Sequence, residues 1–149
     1  MKKQKHRLRP YKNWTKEELE TTLLSHVNRL DIQPMLREAW KDVIREAFIS
    51  PYWDVIEDYN GCTLVQDMFH PCPACFVHDY MWIAGYGGVL SDKIFKGLML
   101  AEGMKKGKAN LRWFGVRVGW IFYFYWLNLI KRKLKKPTNL MYELYRVLK

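Results

Sequence analysis

A chain of 149 residues fits one domain built on a single modest core. Apolar residues make up 49% of it and aromatics 15%, which excludes wholesale disorder. Lys and Arg number 25 against 15 acids, a formal net charge of +10, so the expected partners are anionic: a phosphate backbone, acidic lipid headgroups or an acidic protein face.

Residues 1–14, MKKQKHRLRPYKNW, carry positive charge with no apolar stretch behind it. They read as a basic arm, either a solvated tail or an electrostatic anchor, and no cleavable signal peptide is expected. Residues 15–149 read as one helical domain. Thr15 and Glu18 have capping-box spacing, and Leu19, Leu23, Val27 and Leu30 follow at helical intervals, predicting a helix over about 16–29. Pro34 suits the first turn of a second helix, whose face is Leu36, Trp40, Val43, Ile44, Ala47 and Phe48 and which ends near Ser50-Pro51.

Residues 51–71 lack periodicity and contain Asn60-Gly61 and His70-Pro71, so they read as one long loop. A third helix is expected from Pro73, broken by Gly85-Tyr-Gly-Gly88, and a fourth from about Ser91 to Glu102, stopped by Gly103. A long fifth spans roughly 108–135 and a short one 138–148. No β-alternation persists anywhere. The expected fold class is all-α: a small helical bundle with an antiparallel helix hairpin and one long loop.

The fifth helix admits two readings. From Trp113 to Ile130 it is rich in aromatics, and Lys131, Arg132, Lys133, Lys135 and Lys136 follow. It falls short of a membrane span of ~20 residues, because its unbroken apolar run starts after Arg117 and contains Asn128. It is either the core helix of the bundle or an interfacial helix whose basic run meets lipid or nucleic acid.

The chemistry is concentrated between Tyr59 and Phe95. On a helix from Pro73, Cys75, His78 and Trp82 share a face, while Asp79 is rotated by one residue. Neighbouring side chains diverge, so Asp79 cannot orient His78 but can serve a site beside it. The Gly85–Gly88 break folds the third and fourth helices into a hairpin that brings Asp92 within reach of His78. A carboxylate on one imidazole nitrogen fixes the tautomer and leaves the other nitrogen as a base towards water.

The cysteines, Cys62, Cys72 and Cys75, are odd in number, which argues against a secreted disulfide scaffold but leaves one bridge open. His70, Cys72, Cys75 and His78 also form a cramped but chemically apt zinc set. The commoner role for such cysteines is that of small apolar core residues.

The His-Asp pair on a helix, followed by a small residue, Asp and Phe, resembles the phospholipase A₂ superfamily, in style the compact viral and phage forms with HDxxY and ADxxF. Small phage and prophage proteins share the order seen here: Gly61-Cys62-Thr63, Asp67, Cys72 and Cys75, His78-Asp79, Ser91-Asp92 with Phe95, and Val116-Arg117-Val118-Gly119-Trp120. The resemblance covers roughly residues 59–126.

It implies that His78 is the base, that Asp92 orients it, and that Asp79 binds Ca²⁺ with backbone carbonyls around Tyr59 and Gly61. Two positions depart from the family pattern. Thr63 replaces a second loop glycine, and Trp82 replaces a Tyr whose hydroxyl bonds the orienting carboxylate. Tyr80 and Tyr86 are the candidates to stand in for that hydroxyl.

The implied activity is Ca²⁺-dependent hydrolysis of phospholipid esters at a membrane surface, in a phage virion or at a host-cell membrane. The alternative is a non-enzymatic virion or connector protein that keeps the scaffold and touches DNA or other subunits. A less favoured one is a structural Zn²⁺ protein. No organic cofactor is expected.

Overall fold

The computed structural model describes residues 11–59, 71–119 and 135–149. Among these the chain forms seven helices and no strand. They are α1 Lys16–Arg29, α2 Pro34–Ile49, α3 Val55–Asp58, α4 Pro73–Ile83, α5 Val89–Ala101, α6 Lys106–Gly119 and α7 Asn139–Leu148. None is long and apolar enough to cross a membrane.

The first two helices follow their sequence signals closely. Thr15 Oγ1 accepts from the Glu18 backbone N–H at 3.1 Å, which is half of the expected capping box. Leu19, Leu23 and Val27 of α1 are buried against α2, which presents Ala39, Trp40, Val43, Ile44 and Ala47. The amphipathic α7 closes this side on α2, burying Met141 and Leu144.

Tyr11 and Trp14, at the inner end of the expected basic arm, pack on the core. Tyr11 is buried, stacks on Tyr59 with ring centroids 5.0 Å apart, and meets Trp14 edge-on. Aromatic burial outweighs the surrounding charge there. The segment after Pro51 is also less irregular than its composition suggests. Asp54 accepts from the Ile56 and Glu57 backbone N–H groups and caps the single turn α3, and the Trp53 indole donates to the Ala47 carbonyl.

Two identical stops frame the other side of the molecule. After α4 the Gly85 N–H bonds the Trp82 carbonyl and the Tyr86 N–H bonds that of Met81; after α5 the Gly103 N–H bonds Leu100 and the Met104 N–H bonds Met99. This Schellman arrangement needs a left-handed residue, which Gly85 (φ 101°) and Gly103 (φ 94°) supply. Each stop turns the chain back, so α4, α5 and α6 run antiparallel in sequence order, α5 packing on both neighbours.

The fifth helix of the sequence reading corresponds to α6 over its described part. It is not a buried central helix there. Of Lys106–Val118 only Ala109 joins the core.

Candidate active site

Helix α4 is apolar on every side and buried on nearly all of them: Ala74, Cys75, Phe76, Val77, Tyr80 and Met81 lie in the core. His78 is buried among them, with 6% of its surface exposed. Its ring lies against Trp82, with centroids 4.7 Å apart, and edge-on to Phe95 of α5 at 4.4 Å.

Asp92 stands in the first turn of α5 with no exposed surface. The hairpin places its Oδ1 2.9 Å from His78 Nε2. An ionised carboxylate offers only acceptors, so against it Nε2 is the donor. Among the described residues nothing bonds Nδ1.

A fully buried carboxylate is costly unless its oxygens are matched by donors and its charge is balanced. Three groups do this. The Trp82 indole N–H donates to Asp92 Oδ1 at 3.1 Å and to Ser91 Oγ at 3.0 Å. Arg117, reaching across from α6, donates to Oδ2 at 3.0 Å and supplies the counter-charge. The N-terminal end of the α5 dipole adds to both. Ser91 in turn ties Gly88 at both its N–H and its carbonyl, fixing the start of α5.

The departure at Trp82 is thereby corrected. The indole N–H makes the bond to the orienting carboxylate that a Tyr hydroxyl was expected to make. Tyr80 and Tyr86 do not stand in for it. The Tyr80 hydroxyl points away to Glu46 Oε2 at 3.4 Å, and Tyr86 packs on the Tyr80 ring. Burial, then the Glu46 charge, hold the Tyr80 hydroxyl well above its ordinary pKa.

Asp79, the expected calcium ligand, is half-buried on α4, one residue on from His78 and so turned about 100° from it. Tyr59 is wholly buried, its hydroxyl donating to the Cys72 carbonyl at 3.3 Å. Gly61, Cys62, Thr63, Asp67 and His70 lie outside the described residues, as do Trp120, Lys131, Arg132 and Lys133. Among the described residues no three metal-type side chains come together.

The zinc set needs correction. Cys75 is disulfide-bonded and so does not offer the thiolate that Zn²⁺ requires. Cys72 is buried at the N-cap of α4, its Sγ accepting from the Cys75 N–H at 3.3 Å. Beside it lies a second buried carboxylate that sequence reading missed. Glu102 Oε1 accepts from the Ala74 N–H at 2.9 Å, and both its oxygens lie 3.7 Å from Cys72 Sγ. The last residue of the α5 turn thus caps the helix that carries His78.

The other end of α4 is capped as well. Lys135, expected to face lipid or nucleic acid, donates from Nζ to the Ala84 carbonyl at 2.8 Å and sits over the Tyr52 and Tyr86 rings. The charge is drawn inward by the negative end of the helix and by two aromatic faces. Lys136 remains exposed. Arg117 could have been suspected from the Val116-to-Trp120 motif; Glu102 and Lys135 carry no local signal at all.

The arrangement has the character of a general-base site: an oriented imidazole, a buried carboxylate behind it, and a rigid helix capped at both ends. No protein-family model matches the chain, and neither a curated protein nor a solved structure is significantly similar to it.

Proposed function

We propose that the protein is a phospholipase A₂-like, Ca²⁺-dependent hydrolase of phospholipid esters. The observation that carries this reading is the His78 Nε2–Asp92 Oδ1 bond of 2.9 Å, which supports a role for the other ring nitrogen, Nδ1, as the base. A purely structural histidine has no need of a carboxylate held by three donors from two helices.

In this reading Nδ1 takes a proton from water as the water oxygen attacks the ester carbonyl. The imidazolium so formed is stabilised by Asp92, and Nδ1 returns the proton to the leaving alkoxide. The products are a fatty acid and a lysophospholipid. Arg117 and Trp82 hold Asp92 still, so that the imidazole is oriented before substrate arrives.

Asp79 suits the calcium: it is a hard oxygen donor, only partly buried, placed next to the base but aimed elsewhere. Bound there, Ca²⁺ would polarise the ester carbonyl and neutralise the lipid phosphate.

The test is fatty-acid release from anionic phospholipid vesicles, with and without Ca²⁺. Release is expected only with Ca²⁺, and His78→Ala should reduce it ~10²–10⁴-fold, the range that general-base catalysis commonly contributes. Folded protein that releases nothing at any Ca²⁺ concentration would favour the scaffold reading.

A further inference from the structure

Helix α6 has two unlike faces. Its inner face rests on α5 through Ala109, through Trp113, over which Lys96 Nζ sits at 5.3 Å, and through Arg117 on Asp92. Its outer face is apolar yet exposed: Leu111 at 71%, Phe114 at 61% and Val118 at 37%. With Gly115 these fall at i, i+3, i+4 and i+7, one continuous stripe. A side chain added at Gly115 would meet open space, so among the described residues nothing leans over the stripe at that point. A stripe of this kind on a soluble face marks an interaction site.

The charge around it has one sign. Between Val89 and Gly119 the only acids are Asp92 and Glu102, and both are buried. Lys93, Lys105, Lys106 and Lys108 are exposed. The α5–α6 hairpin therefore offers solvent an apolar ridge flanked by cations, with no exposed carboxylate to oppose an anionic surface.

We propose that the outer face of α6 seats the protein on an anionic lipid bilayer, with Leu111, Phe114 and Val118 entering the headgroup boundary and the lysines of the hairpin meeting the phosphates. This rests on the hydrolase reading for why a bilayer is the partner. The surface features themselves do not depend on it. Apolar insertion beside cations is how an interfacial helix binds, and each Lys near such a surface contributes about 1 kcal/mol. A nucleic-acid groove would use the lysines and leave the aliphatic stripe in water.

The experiment is cosedimentation of the full chain with vesicles of phosphatidylglycerol and phosphatidylcholine, both as diethers, which cannot be hydrolysed. The native chain is expected to bind, more weakly as salt rises. Leu111→Ser/Phe114→Ser should lose about tenfold or more in affinity, and Lys105→Glu/Lys106→Glu should lose the salt-sensitive part. Amide exchange over residues 106–119 of the native chain should slow on vesicles, a readout that needs no variant.

The double serine variant should still cleave a dispersed short-chain phospholipid, which separates seating from chemistry. Native binding without hydrolysis of ester vesicles would end the hydrolase reading and leave the surface standing. The surface proposal is overturned by a serine variant that binds as the native chain does, or by exchange that does not change. It is equally overturned by a native dimer that the serine variant dissociates, or by duplex DNA that displaces the vesicles.

Discussion

The two sides of the molecule are held together by different physics. Around α1, α2 and α7 the interior is apolar, and the ion pairs are surface ones such as Lys41–Glu38 and Arg45–Asp42, each worth less than about 1 kcal/mol. Around α4, α5 and α6 the interior contains two buried carboxylates, Asp92 and Glu102, each shared by donors from another helix. The apolar side would tolerate any volume-conserving exchange. The polar side would not, because removing one donor strands a buried charge. Stability alone does not require such an arrangement.

The polar side is most sensitive at Asp92. Asp92→Asn keeps the shape of the carboxylate but removes its charge, and its amide can no longer satisfy His78, Trp82 and Arg117 together. Fatty-acid release is expected to fall on the order of 10³-fold, with the far-UV spectrum unchanged. Retained activity would show that His78 needs no partner.

Arg117→Met is the next largest in activity and the largest in stability. It leaves Asp92 charged, buried and short of its counter-ion, and should lower unfolding free energy by ~3 kcal/mol in urea titrations. A loss below about 1 kcal/mol would make it equivalent to the surface pairs and erase the contrast between the two sides.

Trp82→Phe separates the ring from its N–H. It preserves an aromatic ring against His78 and removes the indole N–H from Ser91 and Asp92. Roughly tenfold loss of activity and about 1–2 kcal/mol of stability are expected. Trp82→Tyr should recover part of the activity if a hydroxyl can make the same bond. Equal values for the Phe and Tyr variants would mean that the ring alone matters there.

What the sequence disclosed follows the same division. Helices α1 and α2 were legible nearly to the residue, because a one-sided apolar stripe has a period and Thr15 and Pro34 mark the starts. The His78–Asp92 pairing was legible from two helices joined by a glycine break. Glu102 and Lys135 were not, and Arg117 was marked only by its motif, because each satisfies a group that becomes buried only when another helix arrives. For α4, apolar all round, periodicity carries no information about which face meets what. The same blindness made α6 ambiguous: composition cannot distinguish a stripe facing the core from one facing out.

The smallest effect is a test of where the two sides join. Glu46 of α2 accepts from Tyr80 of α4 and from Thr138 at the start of α7. With burial and the Glu46 charge raising its pKa, Tyr80 stays protonated in the folded chain at pH values where the unfolded chain ionises near 10. Unfolding then releases a proton, so this group's contribution is complete below about pH 10 and is lost as pH rises further. Tyr80→Phe has no such proton. Its melting temperature at pH 7 should lie slightly below that of the native chain, for the loss of one long hydrogen bond. Between pH 9 and pH 11 the native chain should lose more than the variant, and the gap should narrow. Parallel decline of the two would place the Tyr80 hydroxyl in a solvated setting, and the Glu46 junction would then contribute packing alone.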